Sequence, residues 1–404
     1  MKLRNFCYYL SLVCALAFAA VSVSCGSDDD VMPDANAYLV SSTVICEATD
    51  VKINVEGSSK LKYTARITSG EDWCSFSVMP GKTETEGNVG TGCFAYFSRN
   101  ISTEDRYATF NIRYSDGAEF DLRLTQRAYS VSATYERDWV EQPEYRVDDD
   151  YIYKTYYSYL NMSGAARPVR NYSVCYDRKR LISHWVAYPI HDIYLTPNLT
   201  RKDCFGYDPN DQLPAIPMSE QQNITSGYGT GRHDRGHMLP NASRMNNYDI
   251  NAMTFYATNM MPQNSRLNQS TWASLEGKVR EARHSDTVYV VVGTYFGDNS
   301  YITDRSGNRI AEPSHVYKLM LRAKNKIPAG KTMADLSADE IIAIGFWFAN
   351  TTAGNDATWS QAAVSVADVE ERTGFTFFRN LDPDVAEQVK SRYSLSDWGT
   401  LFSN

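Results

Sequence analysis

Hydrophobic and polar positions alternate in short runs through the front of the chain: LVSSTVICEA (39–48), VKINVEG (51–57), LKYTARITSG (61–70), CFAYFSRN (93–100), ATFNIRYSDG (108–117) and EFDLRLTQRA (119–128). A period of two turns one side of each run toward a core and the other toward water, and the intervening Gly-Ser-Ser, Pro-Gly-Lys and Asp-Gly supply turn chemistry. Repeated strands with no helical period predict an all-β antiparallel sandwich over residues 38–130.

The next stretch, ERDWVEQPEYRVDDDYIY (136–153), is acidic and sparsely apolar, which predicts a linker over 131–150. From Tyr151 to Asn404 the texture is mixed. RNYSVCYD (170–177), ISHWVAYPI (182–190), DTVYVVVGTYF (286–296), HVYKLMLRA (315–323) and IIAIGFWFAN (341–350) have the β-branched and aromatic density of buried strands. A polar, loop-rich segment fills 195–230. A helical pattern begins near Gln269, and VSVADVEERTG (364–374) and DPDVAEQVKSRY (382–393) open on the acidic first turns that suit a helix N-terminus. At 404 residues, two domains are expected rather than one.

The ends and the charge refine this picture. Lys2 and Arg4 precede an apolar run from Phe6 to Val23, then Ser24-Cys25-Gly26, the layout of an export signal over residues 1–24. Cys25 after a small residue resembles a bacterial lipoprotein signal, which implies an acylated cysteine anchored in the outer membrane; an ordinary cleaved signal is the alternative. GSDDD after Cys25 is similar to a surface-export tag, and residues 25–37 form an acidic tether. An exported chain meets an oxidising compartment, and an odd set of five cysteines (Cys46, Cys74, Cys93, Cys175, Cys204) leaves at least one unpaired. Formal charge is −8, yet from Tyr151 onward 26 Lys+Arg stand against 25 Asp+Glu, so the acidity sits in front. A polyanion is repelled by the front and tolerated by the back. All six histidines lie in the back part.

The chemistry concentrates in GTGRHDRGHMLPNASRMNN (229–247) and FYATNMMPQNSRLNQSTWASLEGKVREAR (255–283). His233 and His237 are four apart, the spacing of a zinc-protease helix, but Asp234 replaces the required glutamate, and Gly236 and Pro240 oppose a helix. The alternative is that Asp234-Arg235-Gly236-His237 resembles the DRGH signature of the DNA/RNA non-specific endonucleases, a ββα-metal family. The resemblance runs through WVAY (185–188), DP (208–209), DRGHM (234–238), NMMPQ (259–263), LNQSTWASLE (267–276), VVVGTYF (290–296), PSHVYK (313–318) and VADVEERTGFTFFRNLDPDV (366–385). It implies an α+β nuclease domain with a central antiparallel sheet over 151–404, magnesium or another divalent ion such as manganese, DNA and RNA as substrates, and products with 5′-phosphate ends. In front, Trp73, SRNISTEDRYATFNIRYSDG (98–117) and Gln126 are similar to a BACON-type immunoglobulin-like domain, which implies a glycan ligand for 38–130; Trp73 itself is the kind of residue that fills a core.

Phosphodiester hydrolysis needs an in-line water, a base for its proton, and positive charge around phosphorus and the leaving oxygen. His237 is the expected base, since neutral imidazole titrates near neutrality; the resemblance implies that its other ring nitrogen is held by a main-chain carbonyl. Asn268 matches the family's metal ligand, and a magnesium ion that keeps most of its waters needs few protein ligands. Stepping by four gives Asn268, Trp272, Glu276 and Arg280 on one helical stripe, beside an apolar stripe of Leu275, Val279 and Ala282. Glu276 then accepts hydrogen bonds from water around the ion and Arg280 reaches the phosphate. Asp234 and Asn259 are expected around the metal at one remove, Asn259 alternatively capping backbone. The resemblance also implies an upstream arginine at the phosphate, taken here as Arg201; Arg235 is expected at the phosphate or bracing its turn, and Arg232, Arg235, Arg244, Arg266 and Arg280 in a basic patch. A surface adhesin with an inactive nuclease-like domain is the rival function, and a nuclease restricted to one nucleic-acid structure a second. Neither oligomeric state nor preference for DNA or RNA is legible.

Overall fold

The computed structural model describes residues 35–403 except Ile45, Glu47, Thr49, 78–80, Arg99, 101–103, 129–138, 163–164, 197–198, Lys202, Asp211, Leu213 and 284–285. The export signal, Cys25 and most of the tether lie outside the described residues, as does His284.

In the front unit, Asn36–Leu39, Asp50–Glu56, Cys93–Phe97 and Cys74–Ser75 form one sheet, while Thr43–Val44, Glu119–Gln126, Arg106–Tyr114, Lys62–Ser69 and Glu84–Asn88 form another. Alternate residues of both, among them Val51, Ile53, Ala95, Ala65, Phe110, Ile112 and Leu124, close into one core. The first strand begins at Asn36, inside the expected tether, and 39–48 splits into two short strands. Trp73 is a core residue, edge-on to Phe97 at 6.0 Å with Arg106 over its ring. Gln126 is fully buried and donates to the Cys46, Ala48 and Ser98 carbonyls. Among the described residues, Cys74, Cys93, Cys175 and Cys204 form no disulfide.

The back unit is built on a seven-stranded sheet in the order Tyr151–Met162, Ala165–Asp177, Ile182–Ile190, Val288–Tyr295, His315–Ala323, Ile341–Ala349 and Ala363–Val364, antiparallel throughout. Its near-continuous apolar runs follow from burial of both faces. Val186, Tyr188, Val290, Val292 and Met320 enter one core with Leu267, Trp272, Leu275 and Val279. Ala187, Val291, Leu319 and Leu321 enter the other with Val366, Val369 and Val389 of the helices Val366–Thr373 and Pro383–Lys390. The chain between Ile190 and Val288 leaves the sheet and carries the candidate site.

The expected linker is not free chain from Trp139 onward. Trp139, Val140, Glu141 and Gln142 are buried, Glu141 pairs with Arg170 at 2.8 Å, and the Glu144 amide donates to the Thr376 carbonyl. An acidic composition suggested solvation, whereas Glu141 has a specific buried partner under the Trp139 ring. Removing one member of a buried pair leaves the other uncompensated. Glu141→Ala is therefore expected to lower the unfolding free energy by about 3 kcal/mol, measured by urea denaturation.

Candidate active site

The DRGH segment is a strand, His233–His237, paired antiparallel with Met260–Asn264 so that Asp234 faces Gln263 and His237 faces Met260. This disposes of the zinc-helix reading, and among the described residues no group of three or more His, Cys, Asp or Glu could hold a metal. Instead His233 bonds Glu312 at 2.6 Å and Thr230 at 2.9 Å, anchoring the start of the strand. Gly236 is required by close approach: a Cβ there would lie 2.4 Å from the Gln263 side-chain oxygen.

Out of the hairpin the chain enters a helix capped by Asn264, whose side chain accepts from the Arg266 and Leu267 amides. The helix does not run as a uniform α-helix. Residues Asn268–Trp272 form a π turn, and regular α-helix resumes over Ala273–Glu281. The stepping by four from Asn268 is thus corrected: a wider turn separates Asn268 from the Glu276 and Arg280 stripe, as happens at functional kinks. Leu275, Val279 and Ala282 are buried against the sheet as expected.

Asp234 and Asn268 meet directly. The Asn268 amide nitrogen donates to Asp234 Oδ2 at 2.9 Å, Gln269 donates to the same oxygen at 2.8 Å, and Ser265 donates to Oδ1 at 2.8 Å. Burial raises the Asp234 pKa, but these three donors outweigh it and hold the carboxyl below its ordinary value. Because the amide nitrogen is committed to Asp234, the oxygen of Asn268 is left to face outward as an acceptor. One neutral oxygen ligand backed by a carboxylate fits a hydrated divalent ion of the magnesium type, and fits poorly a metal that needs an all-protein cage.

His237 lies at the far end of the strand, 9% exposed, between the Phe255 ring at 5.0 Å and the Phe205 ring at 5.6 Å, both edge to face. Its Nε2 is buried without a hydrogen-bond partner, and the expected carbonyl contact to the ring is not made among the described residues. Burial, aided by the Arg201 and Arg235 charges and opposed by Asp203, lowers its pKa to about 3, so the ring is neutral in the working range.

Arg201 connects the two halves of the site. Its guanidinium lies 5.5 Å from the Phe255 ring centroid, and its charge acts on both His237 and Glu276. Glu276 is half-buried. Burial pushes its carboxyl upward against the pull of Lys318, Arg280 and Arg201. Arg280 Nη1 is buried and makes no hydrogen bond among the described residues.

For two residues the contacts favour one of the expected alternatives, and a third changes place. Asn259 is fully buried; its amide donates to the Leu239 and Thr254 carbonyls and accepts from the Leu239 amide, so it braces the turn after His237 rather than the metal surroundings. Arg235 donates to the Ile224 and Thr225 carbonyls and stacks 3.5 Å over Phe205, the bracing role of its two alternatives. Arg244 leaves the basic patch: it is fully buried, bonded to Asn171 and the Pro189 carbonyl. Sequence reasoning also missed Phe205 and Phe255, which resemble any loop aromatic, and Lys318, whose signal was a single lysine inside the apolar run HVYKLMLRA.

A histidine buried neutral stabilises the fold above its unfolded pKa of about 6.5, and that contribution is lost as pH falls from there toward the folded value. Urea stability is expected to decline below about pH 6.5, and His237→Gln to flatten the decline by up to about 1.4 kcal/mol per pH unit. An unchanged slope in the variant contradicts a buried neutral ring.

The sequence profile described as DNA/RNA non-specific endonuclease matches residues 154–384. A nuclease from Nostoc is 29% identical over 223 residues, covering 55% of this chain and 76% of its own. The human mitochondrial nuclease EXOG is 28% identical over 228 residues, covering 54% of this chain and 58% of its own. A nuclease from Serratia marcescens is 29% identical over 213 residues, covering 52% and 73%. A family profile spanning more than half of the chain, and centred on the hairpin and helix just described, settles the assignment: the chain belongs to the DNA/RNA non-specific endonuclease family.

Proposed function

We propose that the chain hydrolyses phosphodiester bonds of both DNA and RNA without regard to the sugar, leaving 5′-phosphate ends, with a divalent ion, magnesium first, held at Asn268. The observation that carries this reading is the Asp234–Asn268 hydrogen bond, which commits the amide nitrogen and leaves the amide oxygen as an acceptor. When bound there, the ion supplies positive charge for the phosphate and the leaving oxygen.

The chain's own residues do the rest. The His237 ring, held neutral by burial, takes the proton of a water whose oxygen forms the new bond to phosphorus. The bond from phosphorus to the 3′-oxygen breaks, and that oxygen leaves with a proton from solvent. The guanidinium groups of Arg280, partly exposed, and Arg201, exposed, offer charge to the non-bridging oxygens, a task their planar donor sets suit. Glu276 accepts hydrogen bonds from the water network around the amide oxygen of Asn268. All of these groups address phosphate and water, none a base edge, which favours low sequence selectivity.

Export by residues 1–24, acylation of Cys25 and display at the outer surface belong to the same proposal on the sequence alone. A glycan ligand for residues 38–130 draws support from the exposed aromatics Tyr38, Phe94 and Tyr107. The rival of an inactive nuclease-like domain finds no support, since Asp234, His237, Asn268, Glu276 and Arg280 are all present. With plasmid and RNA as substrates, cleavage of both in magnesium and none in EDTA is expected, and His237→Ala is expected to lower kcat by roughly a hundred- to ten-thousand-fold. Full activity in EDTA or in the variant contradicts the proposal.

A further inference from the structure

Lys318 is the one group near the site whose chemistry the proposed reaction does not use. It sits in the middle of the strand His315–Ala323, between Val316 and Met320 on the sheet face that meets the site helix, with Val292 and Phe346 opposite it in the neighbouring strands. The residue is fully buried, its ammonium lies 4.4 Å from the Trp272 ring centroid, and Nζ has no hydrogen-bond partner. A buried ammonium without a partner opposes folding, and the contact with an aromatic face offsets only part of that. Methionine, of similar length, fits such a slot without the cost. Something other than packing therefore favours a charge here.

The geometry supplies the reason. Trp272 closes the π turn, and Glu276 follows it by one turn of the helix. Among the described residues, the charged and titratable groups near enough to act on Glu276 are Lys318 from the sheet, Arg280 from its own helix, Arg201 from the loop ahead of the DRGH strand, and Tyr188 from Ile182–Ile190. Arg201 is exposed and Arg280 partly so, and both are the groups a phosphate would engage. Of these three cations, Lys318 alone is fully buried, out of reach of a substrate. We infer that Lys318 is a positioning residue, which from beneath the helix keeps Glu276 a carboxylate and in place when a bound phosphate draws Arg201 and Arg280 to itself.

This inference rests on the nuclease reading of the site, and its test separates the two. In the full chain, Lys318→Met should still fold and melt cooperatively, since the lost attraction for Glu276 is offset by removal of a buried charge that makes no hydrogen bond among the described residues. Its kcat should nonetheless fall about tenfold or more with KM nearly unchanged, and the acid limb of its pH profile should move up by about one unit. Combined with Glu276→Gln, it should add no further loss, since both act through one carboxyl. Carbon-13 NMR titration of Glu276, assigned by its absence in Glu276→Gln and run without metal or substrate, should show a higher midpoint in Lys318→Met. Should the methionine variant fail to fold, Lys318→Gln carries the same comparisons. A variant as active as an active parent, losses that add in the double variant, or an unmoved Glu276 midpoint overturns the role of Lys318 and leaves the nuclease reading standing. If the parent itself cleaves nothing, it is the nuclease reading that falls, and the NMR midpoint still decides whether Lys318 governs Glu276.

Discussion

A single amide orientation governs the candidate site. An asparagine side chain presents either its nitrogen or its oxygen, and nothing in its shape prefers one; Asp234 makes the choice by accepting the nitrogen at 2.9 Å. The carboxylate can do so because Ser265 and Gln269 share it, which keeps it ionised despite partial burial. With the nitrogen committed, Asn268 offers a hard neutral oxygen, the kind of donor that suits a well-hydrated cation. Turned the other way, it would present a donor, and neither an ion nor the charge distribution around Glu276 and Arg280 would have a centre.

Holding that geometry requires a rigid support, and the sheet provides it. Both of its faces are buried, so the strands under the site cannot slip in register without moving an apolar residue into a polar environment. The hairpin is tied to this platform by asparagines rather than by hydrophobic contacts alone. Asn350 accepts from the Asn264 amide and donates to the Pro262 and Pro313 carbonyls, while Asn259 fixes the turn that follows His237. Aromatic edges from Phe205 and Phe255 then confine the His237 ring from the side. Lys318 lies buried beneath the site helix, its ammonium 4.4 Å from the Trp272 ring centroid.

Much of this was legible in the residues. DRGH, the spacing to LNQSTWASLE and the apolar strands named the family, the sheet and the helix, because those features are local or periodic. What escaped was what depends on contact between distant segments. Nothing in the acidic run around Glu141 announces Arg170 as its partner, and Arg244 carries the same charge whether it lies on a surface or under Tyr194. The π turn at Asn268–Trp272 leaves no mark in the hydrophobic period, so a uniform helix was the natural expectation. Asn259 offered two roles from sequence, and only its three backbone bonds distinguish them. Lys318 was visible as an anomaly in an apolar strand, yet its meaning required knowing which helix lies above it.

The most direct measurement is the position of the ion. Crystals of the chain soaked in manganese, with data collected at the metal's absorption edge, are predicted to show an anomalous peak about 2.0–2.3 Å from Asn268 Oδ1, with no second protein atom at bonding distance. A peak bound elsewhere, or coordinated by Asp234 with the Asn268 amide turned away, would contradict the account.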